Sequence, residues 1–233
     1  PEYDAFGMDL PSDHSDRYAM AQEWFDYVTR LWREDSAFDW EGAFFNGKGV
    51  YGLPHPVQER VPVINAAASE EGRAFAMRNA DFLFTPVFDC GQAKETVAAI
   101  KQNSQSVGRD VQVLTFCTVV CRPTQKEADE YLDWYANENA DWEAVDNLMS
   151  LQGMHAQSFT KEALALFRDR FAAGHGGFPL VGTPDTIADL LETLSATGIA
   201  GTTLSFVDYA KEFPYFRQEV LPRLEARGLR LPV

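Results

Sequence analysis

Four short apolar runs alternate with segments of helical spacing, and this alternation constrains the fold more than any other feature of the chain. The runs are Val61–Ala66, Ala80–Val87, Val111–Cys121 and Gly201–Phe206. They are rich in β-branched or aromatic residues, as strands buried in a parallel sheet are. Strands that alternate with helices indicate right-handed βαβ units. The sequence therefore predicts an α/β fold with a parallel sheet.

The segments around these runs carry the signals of helix ends. Serine or threonine caps, carboxylates in the first turn and glycine after the last turn mark such ends. The predicted helices are Ser15–Glu34, Ser69–Asn79, Gln92–Val107, Thr124–Met149, Thr183 to about Gly198, and Lys211–Arg227. Residues 38–56 read as a small hairpin or an irregular insertion, and Leu151–Phe178 as helix plus loop. We expect one domain over residues 1–233, with an insertion at about 38–60.

The number of predicted strands bears on the architecture. Four parallel strands cannot close an eight-stranded barrel, which usually takes ~250 residues. Either the sheet is open, or further strands belong before Pro1. The chain begins at Pro1 without Met, in what reads as a loop, and this favours the second alternative.

Charge and composition exclude several classes of function. The chain has 35 acidic and 20 basic residues, a formal net charge of -15. A surface with this much negative charge repels phosphodiester backbones. We therefore expect no nucleic-acid partner. No apolar run is long enough to cross a membrane. The three cysteines do not suggest a disulfide framework, the four histidines lack metal-ligand spacing, and no signal peptide is visible, so we expect a cytoplasmic protein without a metal site.

Two predicted helix starts are candidate phosphate sites. The run Val61–Ala66 passes through two alanines to Ser69 and directly into a helix, where free backbone N–H groups and the serine hydroxyl can meet a phosphate. At the other start, Arg17 can pair with a phosphate and Tyr18 can donate a hydrogen bond. The alternative is purely structural: Ser69 and Ser15 cap their helices, and Tyr18 is a core aromatic. Taken singly, each pattern favours the structural alternative.

Two further features lie after predicted secondary-structure elements. His175 is in a run of glycines, Gly174–Gly177, which predicts either a lid near a site or a hinge without chemistry. Aromatic residues follow the last strand and either wall a ligand pocket or pack the final helix. They are Phe206, Tyr209, Phe213, Tyr215 and Phe216.

Several stretches of the chain, in order, resemble bacterial luciferase-like flavin monooxygenases. The matching stretches are residues 1–7, 13–18, 64–73, 79–81, 179–184, 198–199, 204–206 and 216–222. The resemblance is nearer to the pyrimidine and dimethyl sulfone monooxygenases than to alkanesulfonate monooxygenase. It implies the carboxyl-terminal part of a (β/α)₈ TIM barrel, with the amino-terminal strands missing from this chain.

The resemblance also implies a cofactor and its contacts. Reduced FMN, delivered as a cosubstrate by a separate flavin reductase, would react with oxygen and oxygenate a small organic heteroatom or heterocyclic compound. Glu2, Arg17 and Tyr18 would contact the flavin, the last two near its phosphate, and Ser69 would bind that phosphate. The resemblance assigns no catalytic residue. A homodimer or higher oligomer is the expected assembly.

Departures from the family pattern narrow the substrate and leave alternatives. Alkanesulfonate-oxidising members carry an arginine and a histidine where this chain has Phe116 and Thr118, and a mobile-loop arginine where it has Ala173. A sulfonate site needs such cations, so this substrate is disfavoured. An F420-dependent dehydrogenase and a non-catalytic flavin-binding relative remain alternatives. Because an incomplete barrel exposes an apolar edge, we expect the 233 residues alone to bind flavin poorly or not at all.

Overall fold

The structure is a computed structural model that describes residues 5–7, 11, 13–67, 69–154 and 161–232. Its described helices are α1 (His14–Arg33), α2 (Glu70–Asn79), α3 (Cys90–Ser106), α4 (Gln125–Asp133), α5 (Trp142–Leu151), α6 (Lys161–Gly174), α7 (Pro184–Ala196) and α8 (Tyr209–Ala226). Its described strands are β1 (Phe38–Glu41), β2 (Asn46–Val50), β3 (Ile64–Asn65), β4 (Phe82–Phe84), β5 (Gln112–Cys121), β6 (Phe178–Gly182) and β7 (Gly201–Ser205). No helix among these residues is both long and apolar enough to span a membrane.

The predicted parallel α/β arrangement is confirmed. Each of the four apolar runs contains a strand, namely β3, β4, β5 and β7. Strand β3 pairs in parallel with β4, and β5 pairs in parallel with β7 over Leu114–Thr118. Strands β1 and β2 form the antiparallel hairpin that was one reading of residues 38–56.

Three local predictions were wrong. Strand β6, which pairs with β5 over Cys117–Cys121, was not predicted, because Pro179 interrupts the apolar pattern of a strand only five residues long. The predicted helix Thr124–Met149 is broken by a π-helical turn at Trp134–Glu138, after which Asp141 caps α5 by accepting from Ala144 N–H. Helix α1 is capped by Asp13, not by Ser15, whose N–H donates to Asp13 Oδ1 over 2.8 Å.

The chain forms two compact units. The amino unit contains the described residues up to Leu83 together with Asn103–Val111, and the carboxyl unit contains Phe84–Gln102 and the described residues from Gln112 onward. The single domain over 1–233 and its insertion at 38–60 stay predictions.

In the amino unit, one face of α1 packs on α2. Tyr18 and Phe25 both contact the ring of Phe75, each with 6.1 Å between ring centroids. Between them on the same face, Gln22 exchanges two side-chain amide hydrogen bonds with the buried Asn79. Positions i, i+4 and i+7 share a helix face, so this spacing fixes the register of α1 against α2.

A charged cluster supports strands β3 and β4 in the same unit. Arg60 and Arg109 both donate to Asp81 Oδ1, over 2.9 and 3.0 Å, and Val63 N–H donates to Asp81 Oδ2 over 2.9 Å. Burial raises the pKa of this carboxyl group, but the hydrogen bonds from Val63 and Arg60 and the two positive charges outweigh it and lower the pKa overall. Asp81 is therefore ionised at neutral pH and joins three backbone segments.

The carboxyl unit has a largely apolar core around β5. Val113, Thr115, Cys117 and Val119 alternate along the strand and are fully buried. Other fully buried side chains of this unit include Leu180, Ile187, Phe216 and Val220. Burial raises the pKa of Cys117 and of Cys121 to about 11, so both thiols are protonated at neutral pH.

Candidate functional site

The structure brings two of the predicted site residues together in the amino unit. Ser69 caps α2, and its Oγ accepts a hydrogen bond from Gly72 N–H over 3.1 Å. Tyr18 Oη lies 3.3 Å from the same Ser69 Oγ, although the two residues are 51 positions apart in the sequence. The contact follows from the packing of α1 on α2, which carries Tyr18 to the start of α2. We call Tyr18, Ser69 and Gly72 the helix-start pocket.

Gly72 makes this close approach possible. A Cβ atom at this position would lie 2.3 Å from Tyr18 Oη and 2.5 Å from the Ala67 Cβ atom. Either distance is far below van der Waals contact, so no side chain fits without movement of its neighbours. Because the buried Gly72 has no side chain, the hydroxyl groups of Tyr18 and Ser69 can both lie next to the first turn of α2.

The electrostatics of the pocket suit an anion. The first turn of a helix presents N–H groups without helical partners and carries a partial positive charge. Glu70 and Glu71 oppose an anion, but both are exposed and therefore screened by water. The hydroxyl groups of Tyr18 and Ser69 and the amino-terminal end of α2 are the kinds of group that bind a phosphate such as that of FMN.

Arg17 and Glu2 are the other two predicted flavin contacts. Arg17 precedes Tyr18 on α1 and is exposed, so its role at a phosphate stays a prediction. Glu2 lies outside the described residues. Ser69 acts as a helix cap, as the structural alternative expected, and its hydroxyl also contacts Tyr18. Capping and phosphate binding are compatible, because a hydroxyl oxygen can accept one hydrogen bond and still donate another.

The carboxyl unit contains a cavity of about 610 Å³, which we call the aromatic cavity. Its walls include Phe84, Phe88, Phe116, Phe171, His175 and Tyr209. The rings of Phe84 and Phe116 are nearly parallel, 18° apart in plane and 5.8 Å between centroids. The described residues that line the cavity include no aspartate, glutamate, lysine or arginine. Such walls favour an uncharged ligand with an apolar body.

The aromatic cavity lies where parallel α/β folds bind ligands. Phe84 is the last residue of β4, Phe116 lies in β5, and Ser205 is the last residue of β7. The carboxyl ends of parallel strands are the usual position of active sites in this fold class. The cavity therefore has the position as well as the chemistry of a ligand site.

Sequence reasoning found part of this cavity. His175 and Tyr209, both singled out above, line it, whereas Phe206 is buried and contacts Phe213 and Phe216, so most of that aromatic cluster packs α8. Phe84 and Phe171 were missed as site residues. The phenylalanines of residues 82–88, next to a strand end, were the available signal.

Three positions bear on sulfonate binding. Phe116 lines the aromatic cavity, while Thr118 and Ala173 line a second cavity of about 490 Å³ in the same unit. Thr118 Oγ1 donates to Gly174 O over 3.2 Å, and Ala173 O accepts from Tyr135 Oη over 2.9 Å. None of the three side chains carries a charge, so these positions supply no cation to a sulfonate.

Comparisons with known proteins agree with this description. The sequence model of the family described as Luciferase-like monooxygenase matches residues 1–201. The dimethyl-sulfide monooxygenase of Hyphomicrobium sulfonivorans is 28% identical over 95% of this chain and 57% of its own length. The FMNH2-dependent dimethylsulfone monooxygenase of Pseudomonas putida is 28% identical over 90% of this chain and 59% of its own. A pyrimidine monooxygenase of Bradyrhizobium is 30% identical over 99% of this chain and 65% of its own. The predicted resemblance is confirmed.

Solved structures confirm the fold. DmoA from Hyphomicrobium sulfonivorans superimposes with a TM-score of 0.81 at 22% identity, over 95% of this chain and 58% of that one. The long-chain alkane monooxygenase LadA gives a TM-score of 0.79 at 23% identity, over 99% of this chain and 61% of that one. The chain thus has the fold of part of a luciferase-like TIM barrel and spans about 60% of the length of these relatives.

Proposed function

Because the chain belongs to the luciferase-like monooxygenase family, we propose that it functions as an FMNH2-dependent monooxygenase that oxygenates a small uncharged organic heteroatom or heterocyclic compound. The observation that carries the proposal is the helix-start pocket, in which Tyr18 and Ser69 meet over Gly72. A flavin-binding protein of this kind needs an anchor for the phosphate, and this pocket has hydrogen-bond donors for one.

The chain's own residues would divide the work of binding. Ser69 and Tyr18 would exchange the hydrogen bond between them for hydroxyl hydrogen bonds to the phosphate, and Arg17 would add a positive charge from the same helix as Tyr18. Glu2 is proposed as a further flavin contact. When bound, reduced FMN supplies the electrons that activate oxygen. The protein would orient the cofactor and keep water from the reacting atoms.

The aromatic cavity supports an uncharged substrate. Dimethylsulfone and pyrimidine monooxygenases are among the relatives, and compounds of those two types are the first candidates. An anion that enters this cavity would lose its hydration shell without gaining a cation as partner, because no charged side chain of the described residues lines the cavity. Alkanesulfonates therefore remain disfavoured. Partners would be oxygen, the substrate and a separate flavin reductase. A cytoplasmic homodimer or higher oligomer is the expected assembly, which light scattering would measure.

Oxygen uptake tests the proposal. With FMN reduced by a separate reductase and a panel of uncharged sulfones and nitrogen heterocycles, we expect substrate-dependent oxygen consumption and a product heavier by one oxygen atom. Reduction of F420 by a secondary alcohol, without oxygen consumption, would identify a dehydrogenase instead. That alternative has structural support only at the level of fold, since the F420-dependent secondary alcohol dehydrogenase superimposes with a TM-score of 0.59 at 15% identity. Flavin uptake without turnover of any substrate would indicate a non-catalytic relative.

A further inference from the structure

His175 lies at the end of α6 in a backbone conformation that usually requires glycine. Its φ is 56°, and it is the only non-glycine residue with positive φ in the described part of the chain. Its N–H donates to Phe171 O over 3.1 Å, and Gly176 N–H donates to Arg170 O over 3.0 Å. This pattern ends many helices, and glycine is usual at the left-handed position because a Cβ is strained there. A strained residue in a ligand cavity suggests a functional role for its side chain.

The position of His175 is fixed by the strand beneath it. Cβ atoms at Gly174 and Gly177 would lie 2.3 and 2.7 Å from Thr118 Oγ1, so both backbones lie directly against β5. Thr118 Oγ1 also donates to Gly174 O. The sequence predicted a lid or a hinge here, but these contacts describe a turn that is held on the strand. His175 is therefore presented at a defined place on the cavity wall.

The imidazole lies beside the side-chain amide of Gln152. Gln152 Nε2 lies 3.1 Å from His175 Nε2. Where this amide nitrogen donates, the ring Nε2 accepts and the ring proton is on Nδ1. Among the described residues, none accepts a hydrogen bond from this Nδ1–H. The ring also contacts Phe171, with 5.2 Å between centroids. The exposed His175 thus adds a polar ring to a cavity that is also lined by Thr203, Ser205 and Tyr209.

We propose that His175 is a specificity-determining residue that donates Nδ1–H to an acceptor oxygen of a small uncharged ligand. The apolar body of that ligand packs against Phe84 and Phe116. The ligand class is a neutral molecule with an apolar or aromatic body and one carbonyl, sulfoxide or sulfone oxygen. That this ligand is the substrate rests on the function proposed above, but its binding does not require turnover.

Three probes with the same phenyl body test which polar group the cavity prefers. Methyl phenyl sulfone offers acceptor oxygens, thioanisole has the same body without them, and benzenesulfonate adds a negative charge. Their affinities for the 233-residue chain can be measured by calorimetry and ligand-observed NMR without flavin. We expect the sulfone to bind about five-fold more tightly than thioanisole, the contribution of roughly one hydrogen bond. Benzenesulfonate should bind more weakly than both, because the cavity has no cation to replace its hydration.

Substitutions at His175 test the residue itself. His175→Gly removes the imidazole and relieves the left-handed backbone, so the fold should persist while the sulfone falls to the affinity of thioanisole. His175→Asn keeps a donor on a residue that tolerates positive φ and should retain part of the preference for the sulfone.

Two variants at other positions are controls. Phe116→Leu removes a ring from the wall and should weaken the binding of the sulfone and of thioanisole alike. His55→Asn changes an imidazole of the amino unit and should leave all affinities unchanged.

The outcomes separate this inference from the proposed function. An unchanged sulfone preference in His175→Gly, or tightest binding of benzenesulfonate, overturns the role of His175. Displacement of the sulfone by lumiflavin also overturns it, since the cavity would then hold the flavin ring. If the preference follows His175 but reduced FMN never supports oxygen uptake, the inference stands and the proposed function fails.

Discussion

The helix-start pocket and the aromatic cavity are built on opposite principles. In the pocket, two hydroxyl groups and a helix end meet because Gly72 has no side chain. The shape of the pocket therefore depends on the close approach of the Tyr18 side chain to the Gly72 backbone. In the cavity, several rings enclose about 610 Å³, and the loss of one ring still leaves the others. The pocket should therefore respond sharply to the addition of single atoms, whereas the cavity should respond gradually and mainly in ligand preference.

The largest effect is expected from Gly72→Ala. The new Cβ must displace Tyr18 or Ala67, so we expect a loss of about 2 kcal/mol in the free energy of unfolding. Flavin binding should fall below detection, because the phosphate donors separate. Urea unfolding and FMN titration measure the two effects.

Gly91→Ala is the matched control, since it too lies in the first turn of a helix. A Cβ there would meet only Asp89 Oδ1, at 3.0 Å. Its stability should change little or increase, given the higher helix propensity of alanine. Equal losses in the two variants would show that Gly72 is no more constrained than an ordinary helical glycine.

Acid should weaken the amino unit through Asp81. The pKa of this carboxyl group is lowered in the folded state from its ordinary 3.8. Its contribution is therefore present above the ordinary pKa and is lost as the pH falls through the lower, folded value. Asp81→Asn should cost roughly 1–2 kcal/mol at neutral pH, the scale of hydrogen bonds to a charged group, and should reduce the dependence of stability on pH below about 4. Circular dichroism during pH titration measures both.

The control for Asp81→Asn is Asp146→Asn. Asp146 pairs with Arg168 in the carboxyl unit, with side chains 57% and 39% exposed. Exposed pairs contribute little, so no measurable change is expected. A similar acid response in both variants would argue against a special role for the Asp81 cluster.

A smaller effect is expected from the phosphate contacts themselves. Tyr18→Phe keeps the ring that packs on Phe75 and removes only the hydroxyl, and Ser69→Ala removes the other donor. Each should weaken FMN about five- to ten-fold and leave riboflavin unchanged, since riboflavin lacks the phosphate. The absolute affinity of the 233 residues should be weaker than micromolar, and sub-micromolar binding would contradict that expectation. Thr183→Ala, which removes the cap of α7, controls for the loss of a helix cap.

How much could be read from the sequence differs between the two sites. Local signals mark both residues of the helix-start pocket as helix starts: a cap after a strand marks Ser69, and Tyr18 opens another helix. Their contact comes from packing over 51 positions, and the family resemblance, not spacing, predicted it. The aromatic cavity has no local signature, because its rings come from β4, β5, α6, the start of α8 and the segments that follow β4 and α6. Isolated phenylalanines read equally well as core. The π-helical turn and β6 were missed because propensity describes short or irregular elements poorly.

The smallest effect concerns the cysteines, and it can separate the two units. All three cysteines belong to the carboxyl unit, and Cys117 and Cys121 are buried with pKa values raised to about 11. Because the thiolate is the reactive form, only the half-buried Cys90 should react quickly with a thiol reagent at pH 8. Gly72→Ala should leave this count at one, since it perturbs the amino unit, which has no cysteine. Reaction of all three thiols in that variant would show that the two units unfold together. The pocket and the cavity would then differ in shape, but their units would not be independently stable.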